Sequence, residues 1–60
     1  MPVITVELWE GRTVAQKKEL VEEFTAVFTK RGMPPQAIVV ILKDNPKHNY
    51  AVGGKLSSEP

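Results

Sequence analysis

The feature that most constrains the fold of this chain is an unbroken apolar segment over residues 37–42, with the sequence Ala-Ile-Val-Val-Ile-Leu. A run this rich in β-branched residues is typical of a strand that is covered on both faces of its sheet. A second strand is predicted near the start of the chain, where Ile4, Val6 and Leu8 point to one face and the residues between them point to the other. The chain therefore contains two strands that need cover.

A single amphipathic helix is predicted between these strands. Thr13 and Gln16 have the spacing of a capping box, in which each side chain satisfies a free backbone donor of the first turn. Gly32 suits the end of the helix, which gives a length of about eighteen residues. The apolar side chains of the helix fall on one side, namely Val14, Leu20, Val21, Phe24, Val27 and Phe28.

A strand, a helix and a second strand predict a β-α-β unit with parallel strands and a right-handed crossover. Residues 43–49 are polar and are predicted to form a loop, and Gly53-Gly54 predicts the turn of a short C-terminal hairpin. The expected fold is thus α/β (α+β), as one domain over residues 1–60.

One helix covers only one face of a two-stranded sheet, so the other apolar face needs a partner. A chain of 60 residues seldom buries enough apolar surface to fold alone, and its zero cysteines exclude disulfides. With one histidine and no cysteine, we also expect no metal site. Oligomerisation, which we expect to be with identical chains, is the remaining means of stabilisation.

The charge pattern argues against several classes of partner. The net charge is +1, with 8 basic and 7 acidic residues interspersed, so we expect no nucleic-acid binding. The longest apolar run is far shorter than a membrane span, and no signal-peptide pattern begins the chain. We therefore expect a cytoplasmic protein without a membrane partner.

Proline at the second position is the main chemical feature of the sequence. A small second residue favours removal of Met1, which would leave the ring nitrogen of Pro2 as a free secondary amine. Amines at chain termini have a pKa of about 7.7–8.0, and shelter from water or a nearby cation such as Arg12 lowers it toward neutrality. Pro2 and Arg12 lie roughly 30 Å apart along an extended strand, so they would share a site only between chains.

Several short motifs, in this order and at this spacing, resemble the 4-oxalocrotonate tautomerase family over nearly the whole chain. They are Pro2 at the head of the first strand, Glu10-Gly11-Arg12 before the helix, Gln16-Lys17-Lys18 in its first turn, and Tyr50-Ala51-Val52-Gly53-Gly54 near the end. The resemblance implies a β-α-β unit with a hairpin that assembles into a hexamer. It also implies a keto–enol tautomerisation of an unsaturated 2-oxo acid, such as 2-hydroxymuconate or an aryl enolpyruvate, without a cofactor.

The same resemblance implies a role for each matching residue. Pro2 would be the general base, Arg12 would bind a substrate carboxylate, and Tyr50 would form an aromatic wall of the pocket. The chain departs from the family at Val39, which falls where a second arginine supports the developing enolate. Another donor would have to replace that arginine, with the Tyr50 hydroxyl, Lys43 and a backbone amide as the alternatives.

Two other functions remain open from the sequence. A protonated Pro2 would suit a hydratase or dehalogenase of unsaturated acids, and the loss of arginine at Val39 would suit a non-catalytic subunit of an oligomer. Outside the site, Lys17 is expected to extend its stem along the apolar side of the helix toward water. His48 is expected to be exposed in its loop.

Overall fold

The computed structural model describes all 60 residues and has the predicted β-α-β order. A short hairpin follows this unit, and two 3₁₀ turns precede β2 and the hairpin. The elements are β1 (Val3–Trp9), α1 (Val14–Thr29), a 3₁₀ turn (Pro35–Ala37), β2 (Val39–Asn45), a second 3₁₀ turn (Lys47–Asn49), β3 (Ala51–Val52) and β4 (Lys55–Leu56).

Strands β1 and β2 pair in parallel along their full lengths, from Val3 opposite Val39 to Trp9 opposite Asn45. The alternation predicted for β1 is confirmed, because Ile4, Val6 and Leu8 are half-buried and the residues between them are exposed. Alternate residues of a strand point to opposite faces, so the half-buried set marks the face beneath α1. The opposite face is open.

The predicted bounds of β2 were wrong at both ends. Ala37 closes the first 3₁₀ turn, and the strand extends to Asn45, through residues expected to form a polar loop. The polar end of β2 stays in the ladder because β1 still offers backbone partners opposite it. A parallel sheet with one open face accepts Lys43 and Asp44 as exposed strand residues.

Helix α1 starts at the predicted capping box. The Thr13 N–H donates to Gln16 Oε1 at 2.9 Å, and the Gln16 N–H donates to Thr13 Oγ1 at 3.1 Å. The helix has 16 residues rather than about eighteen. Leu20 and Phe24 are half-buried as expected, whereas Val14 and Val27 are 83% and 43% exposed.

The predicted C-terminal hairpin is also present. Gly53 and Gly54 have φ values of 62° and 81° and join β3 to β4. Positive φ at both turn residues is the requirement of the tight hairpin turns that suit the strand twist, which explains two successive glycines.

The isolated chain has no hydrophobic core, because none of its 60 residues is buried. Its radius of gyration is 14.5 Å, whereas a compact domain of this length would have about 10 Å. Val3, Val39 and Ile41 leave apolar surface exposed on the open face of the sheet. No helix of the chain has the length and apolar character needed to cross a bilayer.

Candidate active site

Pro2 lies where the parallel sheet begins. Its carbonyl oxygen accepts a hydrogen bond of 3.1 Å from the Val39 N–H, which extends the ladder beyond Val3. Pro2 is half-buried, whereas Met1 is 88% exposed. While Met1 is attached, the ring nitrogen belongs to a planar amide and is not basic. The backbone of Pro2 is therefore fixed, and the residue that precedes it is accessible.

Val39 is the neighbour of Pro2 across the ladder. Its side chain is 40% exposed and lies on the open face of the sheet, in register with Val3. A valine side chain has no hydrogen-bond donor, so it offers a reacting oxygen no electrostatic support. This end of the sheet therefore combines proline with an apolar neighbour.

Arg12 lies beyond the other end of β1. Gly11 has a φ of 118°, which lets the chain turn away from the strand toward α1. The Arg12 Nη1 donates to the Trp9 carbonyl oxygen at 3.3 Å. The side chain also borders an open depression of about 210 Å³, whose other lining residues are Gln16, Glu19, Leu20 and Glu23.

Tyr50 lies at the same end of the sheet as Arg12. Its N–H donates to the Lys47 carbonyl oxygen at 3.3 Å, and its own carbonyl oxygen accepts from the Ser57 N–H at 2.7 Å. The Tyr50 ring meets the Trp9 ring at 80°, with centroids 5.7 Å apart. Edge-to-face pairs of this kind are favoured by the ring quadrupoles, so Trp9 holds the tyrosine ring in place.

The chain thus brings two of the three predicted site residues together and leaves the third apart. Arg12 and Tyr50 both contact Trp9, whereas Pro2 lies at the opposite end of β1. At about 3.3 Å per residue, the seven residues of β1 span roughly 23 Å. A site that contains all three residues consequently needs a second chain.

Trp9 and Lys47 contact each other at the Arg12 end of the sheet. The sequence did not predict this contact. The Lys47 Nζ lies 4.8 Å from the centroid of the Trp9 ring, within the range of a cation–π interaction. The contact depends on the 3₁₀ turn that folds Lys47 back toward β1. A lone tryptophan at the end of a strand was the only available signal.

Asn45 fixes the end of β1 that bears Trp9 and leads to Arg12. Its Nδ2 donates to the Leu8 carbonyl oxygen at 3.2 Å and to Glu7 Oε1 at 2.8 Å, and its own carbonyl oxygen accepts from the Glu10 N–H at 2.9 Å. The side chain and the backbone of Asn45 thus both bond the end of β2 to the end of β1. The turn that presents Arg12 therefore starts from a fixed point.

Lys17 does not simply extend into water. Its Nζ pairs with Asp44 Oδ2 at 2.5 Å, and the two side chains are 30% and 38% exposed. The pair connects α1 to the end of β2, close to Asn45 in sequence. His48 is exposed, as predicted.

Comparison with known proteins identifies the family. The model of the tautomerase enzyme family matches residues 2–59. A 2-hydroxymuconate tautomerase of Bacillus subtilis (strain 168) is 45% identical over 60 residues, which cover 98% of this chain and 97% of that protein.

Solved structures agree with this match. YwhB, described as a homologue of 4-oxalocrotonate tautomerase, superposes with a TM-score of 0.87 at 43% identity, with 98% of each chain covered. A heterohexameric 4-oxalocrotonate tautomerase from Chloroflexus aurantiacus J-10-fl gives a TM-score of 0.88 at 27% identity, with 98% of this chain and 97% of that chain covered. The chain therefore belongs to the 4-oxalocrotonate tautomerase family of the tautomerase superfamily, and it is an isomerase.

Proposed function

We propose that this isomerase is a cofactor-independent keto–enol tautomerase of an unsaturated 2-oxo acid, with the Pro2 nitrogen as its general base after removal of Met1. The observation that most supports the proposal is the placement of Pro2, whose backbone is bonded to Val39 while the preceding Met1 is 88% exposed. An exposed initiator residue is accessible to an aminopeptidase, and its removal would free a base at a fixed position.

The reaction would move one proton within the substrate. The neutral Pro2 nitrogen takes the proton of the enol hydroxyl, the C–O bond becomes a carbonyl, and the electron pair of the conjugated system reaches a carbon atom. The Pro2 ammonium then returns the proton to that carbon. No atom is gained or lost, and the base is regenerated for the next turnover.

Arg12 and Tyr50 would come from a neighbouring subunit. A guanidinium recognises a carboxylate through two parallel hydrogen bonds, and Arg12 makes only one bond within the chain, to the Trp9 carbonyl oxygen. The Tyr50 ring, held against Trp9, would exclude water from the reacting end. A drier site favours the neutral form of an amine and so suits a base.

The assembly we propose is a homo-oligomer, and a hexamer is its expected size. Support comes from the absence of any buried residue in the isolated chain and from the apolar open face of the sheet. The Chloroflexus relative is itself a heterohexamer. The small-molecule substrate would bind between subunits, because one chain does not bring Pro2 near Arg12.

Valine at position 39 bears on the choice of substrate. The 45%-identical relative is a 2-hydroxymuconate tautomerase, so a dicarboxylate of that kind is one candidate. Without a donor at Val39, the 2-oxo acid end that both substrates share receives less support, so the dicarboxylate is not favoured there and an aryl enolpyruvate is the second candidate.

The direct test is the ketonisation of these enols by a Met1-free preparation and by its Pro2→Ala variant. The variant has a primary amine at its terminus in place of the secondary amine of proline, and it lacks the ring that orients the nitrogen. We expect kcat to fall by about 10²-fold or more, with the oligomer intact. Pro34→Ala, in the exposed turn before β2, is the matched control and should retain full activity. Unchanged turnover of Pro2→Ala would refute the role of Pro2.

A further inference from the structure

We propose that Trp9, with Lys47 against its ring, is a specificity-determining residue that makes the Arg12 end of the site prefer substrates with an aromatic side chain. The inference rests on the proposed function and names the substrate class of that same site. Trp9 has no assigned role in that function beyond its contact with Tyr50.

Trp9 lies between the two residues proposed to hold the substrate. The Trp9 carbonyl oxygen accepts a hydrogen bond from Arg12, the proposed carboxylate anchor, while its indole packs against Tyr50, the proposed pocket wall. A substrate whose carboxylate reaches Arg12 and whose chain lies along Tyr50 must therefore pass the indole. No other tryptophan is present in the chain.

Trp9 has accessible surface that a ligand could contact. Lys47 lies over the Trp9 ring and Tyr50 meets it nearly at a right angle, yet the residue remains 43% exposed. In the isolated chain, part of Trp9 is thus accessible beside two groups that already restrain the indole. A planar side chain can pair with a restrained ring without paying the full entropy of ordering it.

Two positive side chains, Arg12 and Lys47, contact Trp9. The one salt bridge of the chain joins Lys17 to Asp44, so neither Arg12 nor Lys47 is neutralised by a carboxylate of its own chain. Lys47 lies over the Trp9 ring, and Arg12 donates to the carbonyl oxygen of the same residue. Such a surface complements a ligand that combines a carboxylate with a π system, because the cation binds the anion and the ring binds the aryl group.

These contacts predict a measurable preference. Loss of one aromatic pair costs roughly two- to tenfold in binding. Trp9→Leu should lower the ratio of kcat/KM for phenylenolpyruvate to kcat/KM for 2-hydroxymuconate by that factor. Trp9→Phe, which keeps a ring, should retain most of the preference for the aryl substrate. A merely structural role would lower both values together.

The fluorescence of Trp9 gives a second test that needs no variant, because no other tryptophan contributes to the emission. With the Met1-free oligomer, 3-phenylpropionate should change the emission in a saturable way at concentrations where hexanoate does not. Equal responses to the two acids, or no response to either, would overturn the inference.

The outcomes separate the inference from the function on which it rests. If wild-type protein ketonises both enols and Trp9→Leu leaves their ratio unchanged, the inference is wrong and the tautomerase function stands. If the Met1-free wild type ketonises neither enol, the proposed function fails and the inference fails with it.

Discussion

The carbonyl oxygen of Pro2 accepts a 3.1 Å hydrogen bond from the backbone N–H of Val39. This bond places the residue before the first strand in the same ladder as the start of β2. It restrains the proline through its carbonyl and leaves its ring nitrogen outside the ladder. A catalytic amine at a chain terminus would otherwise be mobile, because terminal residues are seldom ordered unless a sheet or helix fixes them.

Replacement of Arg12 tests how the substrate carboxylate is bound. We expect Arg12→Ala to raise KM for acidic enols by about 10- to 100-fold, since a hydrogen bond to a charged group contributes about 1.5–3 kcal/mol. Steady-state kinetics would measure the effect.

Arg31→Ala is the matched control, because Arg31 donates to the Val27 carbonyl oxygen at the end of α1 opposite to Arg12. A loss of thermal stability without a rise in KM would instead identify Arg12 as a structural residue of the turn.

Installing an arginine at position 39 tests the effect of the missing donor. Val39→Arg places a guanidinium beside Pro2, where the enolate oxygen would form, at the outermost pair of the ladder and not further in, where Ile41 lies. One donor to such an oxygen is worth about 10²–10³ in rate, so we expect a rise of about tenfold or more in kcat for 2-hydroxymuconate. Val39→Leu controls for side-chain size, and equal rates for the two variants would contradict the prediction.

A charge on the open face of the sheet should break the assembly. Ile41 is 41% exposed there, and Ile41→Lys would place an ammonium in the expected subunit interface. We expect wild-type protein to sediment as an oligomer at micromolar concentration and Ile41→Lys to dissociate and lose helical signal.

Glu22→Lys, on the exposed side of α1, makes a control with a larger change in charge. A folded wild-type monomer would contradict the argument from the absent core.

The sequence predicted elements that depend on local patterns and missed those that depend on register. The capping box of Thr13 and Gln16 and the turn at Gly53 and Gly54 are local, and both were predicted correctly. The end of β2 depends instead on how far β1 offers partners, so the polar residues up to Asn45 resembled a loop.

The residues of the candidate site were likewise predicted from local motifs, whereas the contacts between them were not. Position in a motif predicted Pro2, Arg12 and Tyr50 as candidates, but no pattern predicted that Trp9 would contact both Arg12 and Tyr50. That contact requires the parallel register and the 3₁₀ turn at Lys47–Asn49 together. The separation of Pro2 from Arg12 by a whole strand did follow from the sequence, because β1 forms between them as predicted.

The proposed catalysis depends most directly on the nitrogen of Pro2, and one comparison tests that role. Two preparations of the same sequence, one beginning at Met1 and one at Pro2, would be verified by intact mass and assayed with the same enol. We expect the chain that begins at Pro2 to ketonise the substrate and the chain that keeps Met1 to lose activity by about 10²-fold or more, because its ring nitrogen is an amide. Equal activity of the two preparations would contradict the central claim that Pro2 is the general base.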